Sequence, residues 1–435
     1  MTDEAEFWTQ INNLTEDLKK EDRARKLREQ FCQTKDKEAV KYVRTQCIGS
    51  QDVLHRIEAV VENIVTCIAR GEAPYLSYCR RNSWDSVSFR EDVGLEMKDD
   101  GKMTEVRFDV PTSTNKFALM LKVLALCYRL VQTDTYSTKR DLYYSNVQSF
   151  GSQSIVDDIV DNLCCLLQVP RRCLHILATS KGLVYGDLRF TDVSGSYIDC
   201  SRNRTGTQVP NHVEGVTNIQ SRARFVLIIE KDATFQKIID DGLVDRIPNC
   251  IIITGKGFPD INTRMLVRTL WDTLHIPVFA LVDADPHGLA ILFVYKFGSR
   301  SLSYESHSLT VPSIRWLGVL PSDSQCPIIS SLQSLSYESH SLTVPSIRWL
   351  GVLPSDVKGL RIPGEALIPL SPSDLKKASH LMRRPFYKEL PHWMSELQEM
   401  MRSGYKAEIQ SLTSISESFL TDVYLPTKLR CGGWI

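Results

Sequence analysis

The chain of 435 residues lacks several features that would assign it quickly to a functional class. Lys plus Arg and Asp plus Glu both number 52, so there is no uniformly basic coat with which to bind a nucleic acid. Any such binding must depend on local basic patches or on a metal ion. No apolar run reaches the length of a membrane span, and no secretory signal is visible at the charged start MTDEAEFW. We therefore expect an intracellular protein with no membrane partner.

Motifs of the common nucleotide-dependent and zinc-dependent enzymes are missing too. There is no P-loop, no HExxH helix and no cysteine spacing typical of a zinc site. The 12 cysteines are scattered and form no C-x-x-C pair, which argues against a disulfide framework. We interpret them as reduced thiols of a cytosolic or nuclear protein. If its assembly hydrolyses ATP, that activity belongs to a partner.

What the chain does contain is an alternation of apolar strands and helices from residue 224 onward. Strands at 225–229, 250–254 and 278–282 alternate with helices at 233–240, 262–275 and 287–296. Strands separated by helices in this way are joined by crossover connections, so the order predicts an α/β unit with a parallel sheet. The β-branched and aromatic content of 278–282 indicates a strand that is buried on both faces.

Three acidic residues follow the strands of this predicted sheet. Glu230 comes directly after the first strand, and Asp283 and Asp285 follow the third in LVDADPHG. Because open α/β sheets place ligand sites at the carboxyl ends of their strands, we expect the three carboxylates to share one edge. Crowded carboxylates need a divalent cation to offset their repulsion. The alternative is a solvated loop in which Asp285 only helps to start the next helix.

The amino-terminal half is predicted to be largely helical. Residues 1–45 carry mixed charge with apolar positions at helical spacing, which indicates a helix on the surface or docked to a partner. Residues 53–69 predict a clearer helix. Residues 70–115 are broken by glycine and proline and predict a loop-rich insertion or linker.

The next stretch predicts three helices followed by two strands. Residues 116–131 indicate a core helix, and Ser137 or Thr138 is placed to cap a short one. A third helix ends near 167, and strands are expected at 173–178 and 182–190 around a turn. Three helices and a hairpin fit a winged-helix module that presents one helix to DNA, although bundles that bind only protein share the pattern.

A repeated segment interrupts the second half. SLSYESHSLTVPSIRWLGVLPSD occupies 301–323 and recurs unchanged at 334–356, which indicates a recent exon duplication or an error in the predicted gene. Only one copy can occupy a given place in the sheet, and the other would leave apolar IRWLGVL exposed. We hypothesise that the duplication is not part of the working fold. Peptide mass spectrometry of the native protein tests this hypothesis. Abundant peptides that bridge Asp323 and Ser324 would show that the duplication is not an artefact.

The remaining residues predict a helical carboxyl-terminal region. Helices are expected around 373–382, 391–402 and 405–423. The Trp and Ile of the tail YLPTKLRCGGWI favour an ordered, docked end over a free one.

Four motifs, TKRDLYYSNVQSFGSQ, VLIIEKDATFQ, TGKGFPDINTR and LVDADPHG, occur in this order. With them the chain resembles the meiotic double-strand-break proteins related to the A subunit of type IIB DNA topoisomerases. The resemblance runs from about residue 50 to the carboxyl terminus, interrupted only by the duplication. It implies a winged-helix (catabolite-activator-like) domain at 51–200 and a Toprim domain with carboxyl-terminal helices at 201–435. Residues 1–50 would form a helical segment that contacts a partner.

The resemblance also implies roles for individual residues. Tyr144 in RDLYY matches the catalytic tyrosine, with Arg140 as its electropositive neighbour and Tyr143 as a buried one. The remaining matches are the acidic set that binds Mg²⁺, namely Glu230, Asp283 and Asp285, and two positions associated with DNA contact, Lys181 in TSKGL and Phe258 in GKGFPD.

The implied activity is a DNA transesterification that makes double-strand breaks in meiosis. It leaves the protein joined to DNA through a 5′-phosphotyrosyl linkage. A phenol with a pKa of about 10 is a poor nucleophile at neutral pH and needs help from nearby cations. Arg140 precedes Tyr144 by four residues and so shares its helix face, from which it can bind the phosphate. Implied partners are double-stranded DNA, a second copy of the chain, accessory meiotic proteins and a topoisomerase B-like subunit, in the nucleus on meiotic chromosomes.

Two other functions remain open from the residues. One is a Toprim nuclease or primase-like enzyme that uses water or a nucleotide, in which Tyr144 would be incidental. The other is a catalytically inactive DNA-binding scaffold, disabled by the duplicated segment.

Overall fold

The computed structural model describes residues 48–79, 103–298, 344, 347–384, 387, 390–431 and 434–435, together with the backbone of 87–90 and 94–97. The expectations for residues 1–45 and for the first copy of the repeat lie outside these residues. No helix in the described ranges combines the length and the apolar character needed to cross a membrane. Of the cysteines among them, Cys67, Cys127, Cys200, Cys250 and Cys431 are free thiols.

The amino-terminal unit is built from helices that enclose a core of their own. They are α1 (Ser50–Ala69), α2 (Pro111–Gln132), α3 (Lys139–Ser145), α4 (Val147–Phe150) and α5 (Gln153–Leu167). Apolar positions of α1, α2 and α5 are fully buried against one another, among them Val53, Met120 and Val160. This core is separate from the two that cover the sheet described below.

The interpretation of 70–115 as loop-rich is wrong, because the segment contains strands. They are β1 (Tyr75–Cys79), β2 (Val87–Arg90), β3 (Gly94–Met97) and β4 (Met103–Arg107). β1 pairs antiparallel with β4, and β2 pairs antiparallel with β3. The ribbon packs on α2 and α5 through Leu76, Tyr78 and Val106, which are buried in the helical core. Alternate residues along β1 are buried, and this burial stabilises a strand although the glycine and proline residues predicted a loop.

The expected hairpin of 173–178 and 182–190 does not form. Strand β5 (Ser137–Thr138) pairs in parallel with β6 (Ile176–Leu177), whereas β7 (Leu183–Gly186) pairs antiparallel with a strand of the large sheet. The turn between the two segments is held by Asp260, whose Oδ2 accepts hydrogen bonds from the backbone N–H of Lys181 at 3.1 Å and of Gly182 at 3.3 Å. The chain therefore leaves the helical unit at this turn.

A six-stranded sheet organises the rest of the protein. Its six strands are β7, β10 (Thr207–Gln208), β12 (Phe225–Ile229), β13 (Cys250–Thr254), β14 (Val278–Leu281) and β15 (Arg348–Gly351). A separate small sheet has β8 (Arg189–Thr191) at its centre, between β9 (Tyr197–Asp199) and β11 (Thr217–Gln220). The order across the sheet is β10-β7-β13-β12-β14-β15. Strands β13, β12, β14 and β15 are parallel, which confirms the predicted parallel sheet.

Helices cover both faces of this sheet. They are α6 (Asp232–Asp240), α7 (Leu243–Arg246), α8 (Ile261–Leu274) and α9 (Pro286–Phe297). Val226 and Ile228 of β12 enter the core on one face, and Leu227 and Ile229 enter the core on the other. The continuous apolar run of β12 therefore follows from burial on both faces.

The carboxyl-terminal region differs in part from prediction. It contains α10 (Pro354–Gly359), β16 (Ile368–Pro369), α11 (Pro372–Met382), α12 (Pro391–Ser403), β17 (Tyr405–Lys406) and α13 (Leu425–Cys431). The first two predicted helices are confirmed, but a helix over 405–423 is wrong, since this stretch begins with β17 paired to β16 and continues as a 3-10 helix over Ile409–Ser414. The tail is docked as predicted, through hydrogen bonds between Ile435 and Trp349.

Strand β15 comes from the second copy of the repeat. Trp349 in its centre is fully buried, and the Val344 N–H that precedes it donates to the Tyr295 carbonyl at 2.8 Å. One copy of the segment is thus sufficient to complete the described sheet.

We expect deletion of residues 301–333 to leave a folded protein. The shortened chain retains one intact copy, and closing a shorter connection between α9 and β15 costs less entropy. Its melting temperature, measured by differential scanning fluorimetry, should equal or exceed that of the full chain. Trp349→Ala in the shortened chain serves as the control and should lose about 3–5 kcal/mol in urea unfolding. A shortened chain that melts at a lower temperature would contradict the expectation.

Candidate functional site

The predicted nucleophile lies on a short, well-capped helix. Thr138 caps α3: its hydroxyl accepts from the Asp141 N–H at 3.2 Å, and Asp141 Oδ2 accepts from the Thr138 N–H at 2.9 Å. Tyr144, at the end of this helix, is 68% exposed, whereas Tyr143 is half-buried against the helical core. The fold therefore presents the Tyr144 phenol to solvent.

The position of α3 is fixed by a salt bridge to α5. Lys139 Nζ lies 2.6 Å from Asp161 Oδ1 and 3.9 Å from Asp157. Arg140, the next residue, is exposed and has no hydrogen bond or ion pair to the described residues from its side chain. It therefore keeps its guanidinium available on the face that also carries Tyr144.

Two of the three predicted acidic residues meet at the carboxyl edge of the sheet. Glu230 follows β12 and is 7% exposed; Asp283 follows β14 and is 3% exposed. Glu230 Oε2 accepts a hydrogen bond from the Asp283 N–H at 2.8 Å. Parallel pairing of β12 with β14 is what brings the two residues together.

Burial perturbs both carboxyl groups. Removal from water, with the nearby Asp283 charge as a further cause, raises the pKa of Glu230 to about 8. Burial also raises the pKa of Asp283, against the opposing effect of hydrogen bonds from Lys231 and from the Ile409 N–H. Two acidic groups held out of water in this way would gain stability from a cation beside them.

A lysine supplies that positive charge in this structure. Lys231 Nζ lies 2.8 Å from Asp283 Oδ2 and 2.9 Å from Glu408 Oε2, and it donates to the Gln410 side chain at 3.1 Å. Although burial acts in the opposite sense, the hydrogen bonds to Asp283 and Glu408 raise the pKa of Lys231.

The third predicted acidic residue has a different contact. Asp285 caps α9, because its Oδ1 accepts a hydrogen bond from the Gly288 N–H at 2.6 Å. The prediction that Asp285 helps to start this helix is therefore confirmed. Gly288 is required for this approach, because a Cβ there would lie 2.5 Å from the Asp283 carbonyl and 3.0 Å from Glu230 Oε2. Within the described ranges no three His, Cys, Asp or Glu side chains are arranged to hold a metal ion. Binding of a metal therefore stays a prediction.

The two residues predicted to contact DNA lie near the same edge. Phe258 is 46% exposed in the loop after β13, where the Gly257 N–H donates to the Glu230 carbonyl at 2.8 Å. Lys181 Nζ donates to the Lys256 carbonyl in this loop at 3.2 Å. One loop therefore connects Lys181, Phe258 and Glu230.

A groove of about 440 Å³ lies between the helix of the predicted nucleophile and the start of α8. We call it the interdomain groove. Its lining residues are Thr138, Lys139, Arg140, Gln153, Asp157, Arg171, Leu177, Ala178, Thr179, Lys181, Asp260 and Ile261. Arg140 and Lys181 thus line one groove. Tyr144 does not line it, and in the described residues it makes no hydrogen bond to Glu230, Asp283 or Asp285.

Comparison with known proteins finds family matches in both halves of the chain. Residues 115–176 match the family described as "Type IIB DNA topoisomerase", and residues 225–331 and 326–429 both match the Toprim domain shared by Spo11 and the A subunit of topoisomerase 6. The human "Meiotic recombination protein SPO11" is 45% identical over 387 residues, which cover 89% of either chain. The chain belongs to the family of Spo11 and the A subunit of topoisomerase 6. Each of the two Toprim matches includes one copy of the repeat.

Relatives elsewhere in this family are more distant but still match most of the chain. The A subunit of DNA topoisomerase 6 from Arabidopsis thaliana is 34% identical over 380 residues, covering 87% of this chain and 80% of that one. "Meiotic recombination protein W68" of Drosophila melanogaster is 30% identical over 375 residues, covering 86% and 96%. The parallel strands β12 to β15 accordingly lie in the Toprim domain of this family.

Sequence reasoning missed Lys231 and Glu408. Lys231 directly follows Glu230, so a cation next to a predicted ligand was visible in the chain. Glu408 follows β17, which an antiparallel bridge between Ala284 and Ala407 brings to the site. No local pattern could have placed it there, because it is separated from Asp283 by more than a hundred residues of sequence.

We expect Lys231→Met to destabilise the protein, because it leaves the buried Asp283 carboxylate without its cation. The loss should be about 1–3 kcal/mol in the free energy of unfolding measured with urea at neutral pH. Lys237→Met is the matched control, since the pair of Lys237 with Asp241, at 3.2 Å, is more exposed than the Lys231 pair and joins residues four apart at one helix end, where such a pair contributes under about 1 kcal/mol. Equal losses in the two variants would show that the Lys231 pair is no stronger than a surface pair.

Proposed function

We propose that the protein is a DNA transesterase that makes meiotic double-strand breaks to initiate recombination, with Tyr144 as the nucleophile. The observation that carries the proposal is the exposed Tyr144 phenol, on a helix whose Lys139 and Arg140 line a basic groove, in a chain 45% identical to a meiotic recombination protein. We further propose that the helical unit is a winged-helix domain over 51–200 and that 201–435 are the Toprim module. Strand β7 of the first range joins the sheet of the second.

The proposed reaction exchanges one phosphoester for another. A bond forms between the Tyr144 oxygen and a DNA phosphorus, and the bond from that phosphorus to the 3′ oxygen breaks. The phenol loses a proton and the leaving oxygen gains one, giving a 5′-phosphotyrosyl end and a free 3′-hydroxyl. Arg140 would bind the attacked phosphate through two parallel N–H donors and neutralise its charge. No water is consumed, so the bond energy is kept in the covalent linkage.

We propose that Glu230, Asp283 and Asp285 hold Mg²⁺. The residues fit this ion in their chemistry, since Mg²⁺ takes carboxylate oxygens as ligands and the buried carboxylates of Glu230 and Asp283 already share the sheet edge. When bound, Mg²⁺ would offset the negative charge that develops on phosphate oxygens. The chain's own contribution is to fix the acidic groups at the edge and to place Phe258 and Lys181 beside them for contact with DNA.

The resemblance to the A subunit of type IIB topoisomerases supports a dimer. We propose that the tyrosine of one protomer works with the metal site of its partner. Two protomers would then cut both strands of a duplex. The relative named as the A subunit of DNA topoisomerase 6 supports a B-like subunit as a further partner. The relatives named as meiotic recombination proteins support accessory meiotic proteins as partners and a location in the nucleus.

Tyr144→Phe should abolish the covalent protein–DNA species in meiotic cells while leaving the fold intact, since the exposed hydroxyl is not buried in any core. The measurement is recovery of oligonucleotides attached to the immunoprecipitated full-length protein, with the attachment residue mapped by mass spectrometry. Tyr143→Phe is the matched control and should retain the adduct. Cleavage that persists in Tyr144→Phe without an adduct would favour a Toprim nuclease that uses water.

Mg²⁺ should raise the melting temperature of the full chain, because an ion that binds only the folded state stabilises it by mass action. Asp283→Asn should remove most of this increment, since it deletes a proposed ligand. Asp240→Asn, on the exposed end of α6, should retain it. The increments are measured by differential scanning fluorimetry with and without EDTA. An undiminished increment in Asp283→Asn would place the ion elsewhere.

A further inference from the structure

Two adjacent arginines at the interdomain groove differ in their contacts. Arg171 and Arg172 form the first turn of the 3-10 helix Arg171–Leu174 that follows α5. Arg172 Nε lies 2.7 Å from Glu214 Oε1, so its charge is used within the protein. Arg171 lines the groove, and its guanidinium has no hydrogen bond or ion pair to any residue that the structure describes.

The acidic residues of the groove do not neutralise Arg171. Asp260 caps α8 through the Thr263 N–H at 2.9 Å and also accepts from the backbone of Lys181 and Gly182. Asp157 lies 3.9 Å from Lys139. Lys139 is paired with Asp161 at 2.6 Å, and the other cationic side chains of the lining, Arg140, Arg171 and Lys181, outnumber these two carboxylates. The groove therefore has a net positive charge and suits a polyanion.

From this arrangement we propose that Arg171 binds a backbone phosphate of duplex DNA and connects Arg140 to Lys181 in one phosphate-binding track. The inference rests on the proposed function for its ligand, but it adds a residue that neither the motifs nor the family matches single out. An arginine that is partly buried, unpaired among the described residues and lining a groove is positioned for bidentate contact with phosphate. Phosphate contacts hold the duplex in register rather than read its sequence, so Arg171 is a positioning residue.

The test compares the two arginines in the full-length Tyr144→Phe chain, so that binding is measured without chemistry. Affinity for a short fluorescein-labelled duplex is determined by fluorescence anisotropy over a series of KCl concentrations. Each phosphate contact contributes about 0.9 to the slope of log affinity against log salt. Arg171→Ala should lower this slope by about 1, with weaker binding to every sequence. Arg172→Ala should leave the slope unchanged, and Arg171→Lys should retain most of it.

Melting temperatures of all variants identify any loss of fold, and if Arg171→Ala is unfolded, Arg171→Gln replaces it as the neutral variant. The inference is overturned if the neutral Arg171 variant keeps the parent slope, or if Arg172→Ala lowers it equally, which would indicate a general charge effect. The proposed function fails separately, if no adduct maps to Tyr144 in the unmodified protein, whatever the salt slope shows.

Discussion

The burial of Glu230 and Asp283 at the end of two parallel strands is the constraint around which the rest of the site is arranged. Carboxylates so far removed from water are unfavourable unless donors and a cation surround them. The structure provides the Asp283 N–H for Glu230 at 2.8 Å, and for Asp283 the Ile409 N–H at 2.8 Å and the Lys231 ammonium. These groups come from three separate stretches of chain, so the carboxyl-terminal segment is needed to complete the edge as well as to cover the core.

The same constraint accounts for the division of the protein into two parts. The proposed metal-binding edge needs a rigid, doubly covered sheet, whereas the proposed nucleophile must reach a DNA strand and therefore needs exposure. Tyr144 is 68% exposed on a helix that a salt bridge from Lys139 fastens to the helical unit, outside the sheet. The interdomain groove joins the two parts through cationic side chains. DNA bound there would neutralise the groove's excess positive charge, whereas the acidic edge has its charges compensated internally.

The fold could be predicted from the sequence where each element depends on local pattern, and not where it depends on contacts between distant residues. Strands 225–229 and 250–254 were placed at their observed bounds because burial on both faces leaves an unbroken apolar run. The prediction of a hairpin after Cys173 was wrong because β6 and β7 each pair with a strand that is distant in sequence. The local pattern of residues does not indicate those partners. Convergence of Glu230 and Asp283 followed from parallel topology alone. The contacts of Lys231 with Glu408, and the place of Arg171 in the groove, depended on tertiary structure across long stretches of chain.

The two copies of the repeat are identical, so the residues that follow each copy determine which one forms β15. Either copy has the residues that β15 needs, including the tryptophan that is buried as Trp349. Helix α10 spans the end of the second copy, since Pro354 to Asp356 belong to the repeat and Val357 to Gly359 follow it. Val357 packs against the core of the sheet, and the Asp356 carboxylate accepts from Lys428 at 2.8 Å. Use of the first copy would replace Val357 in this helix by Ser324, and a polar side chain at that partly buried position stabilises less. The continuous helix therefore favours the second copy as the source of β15.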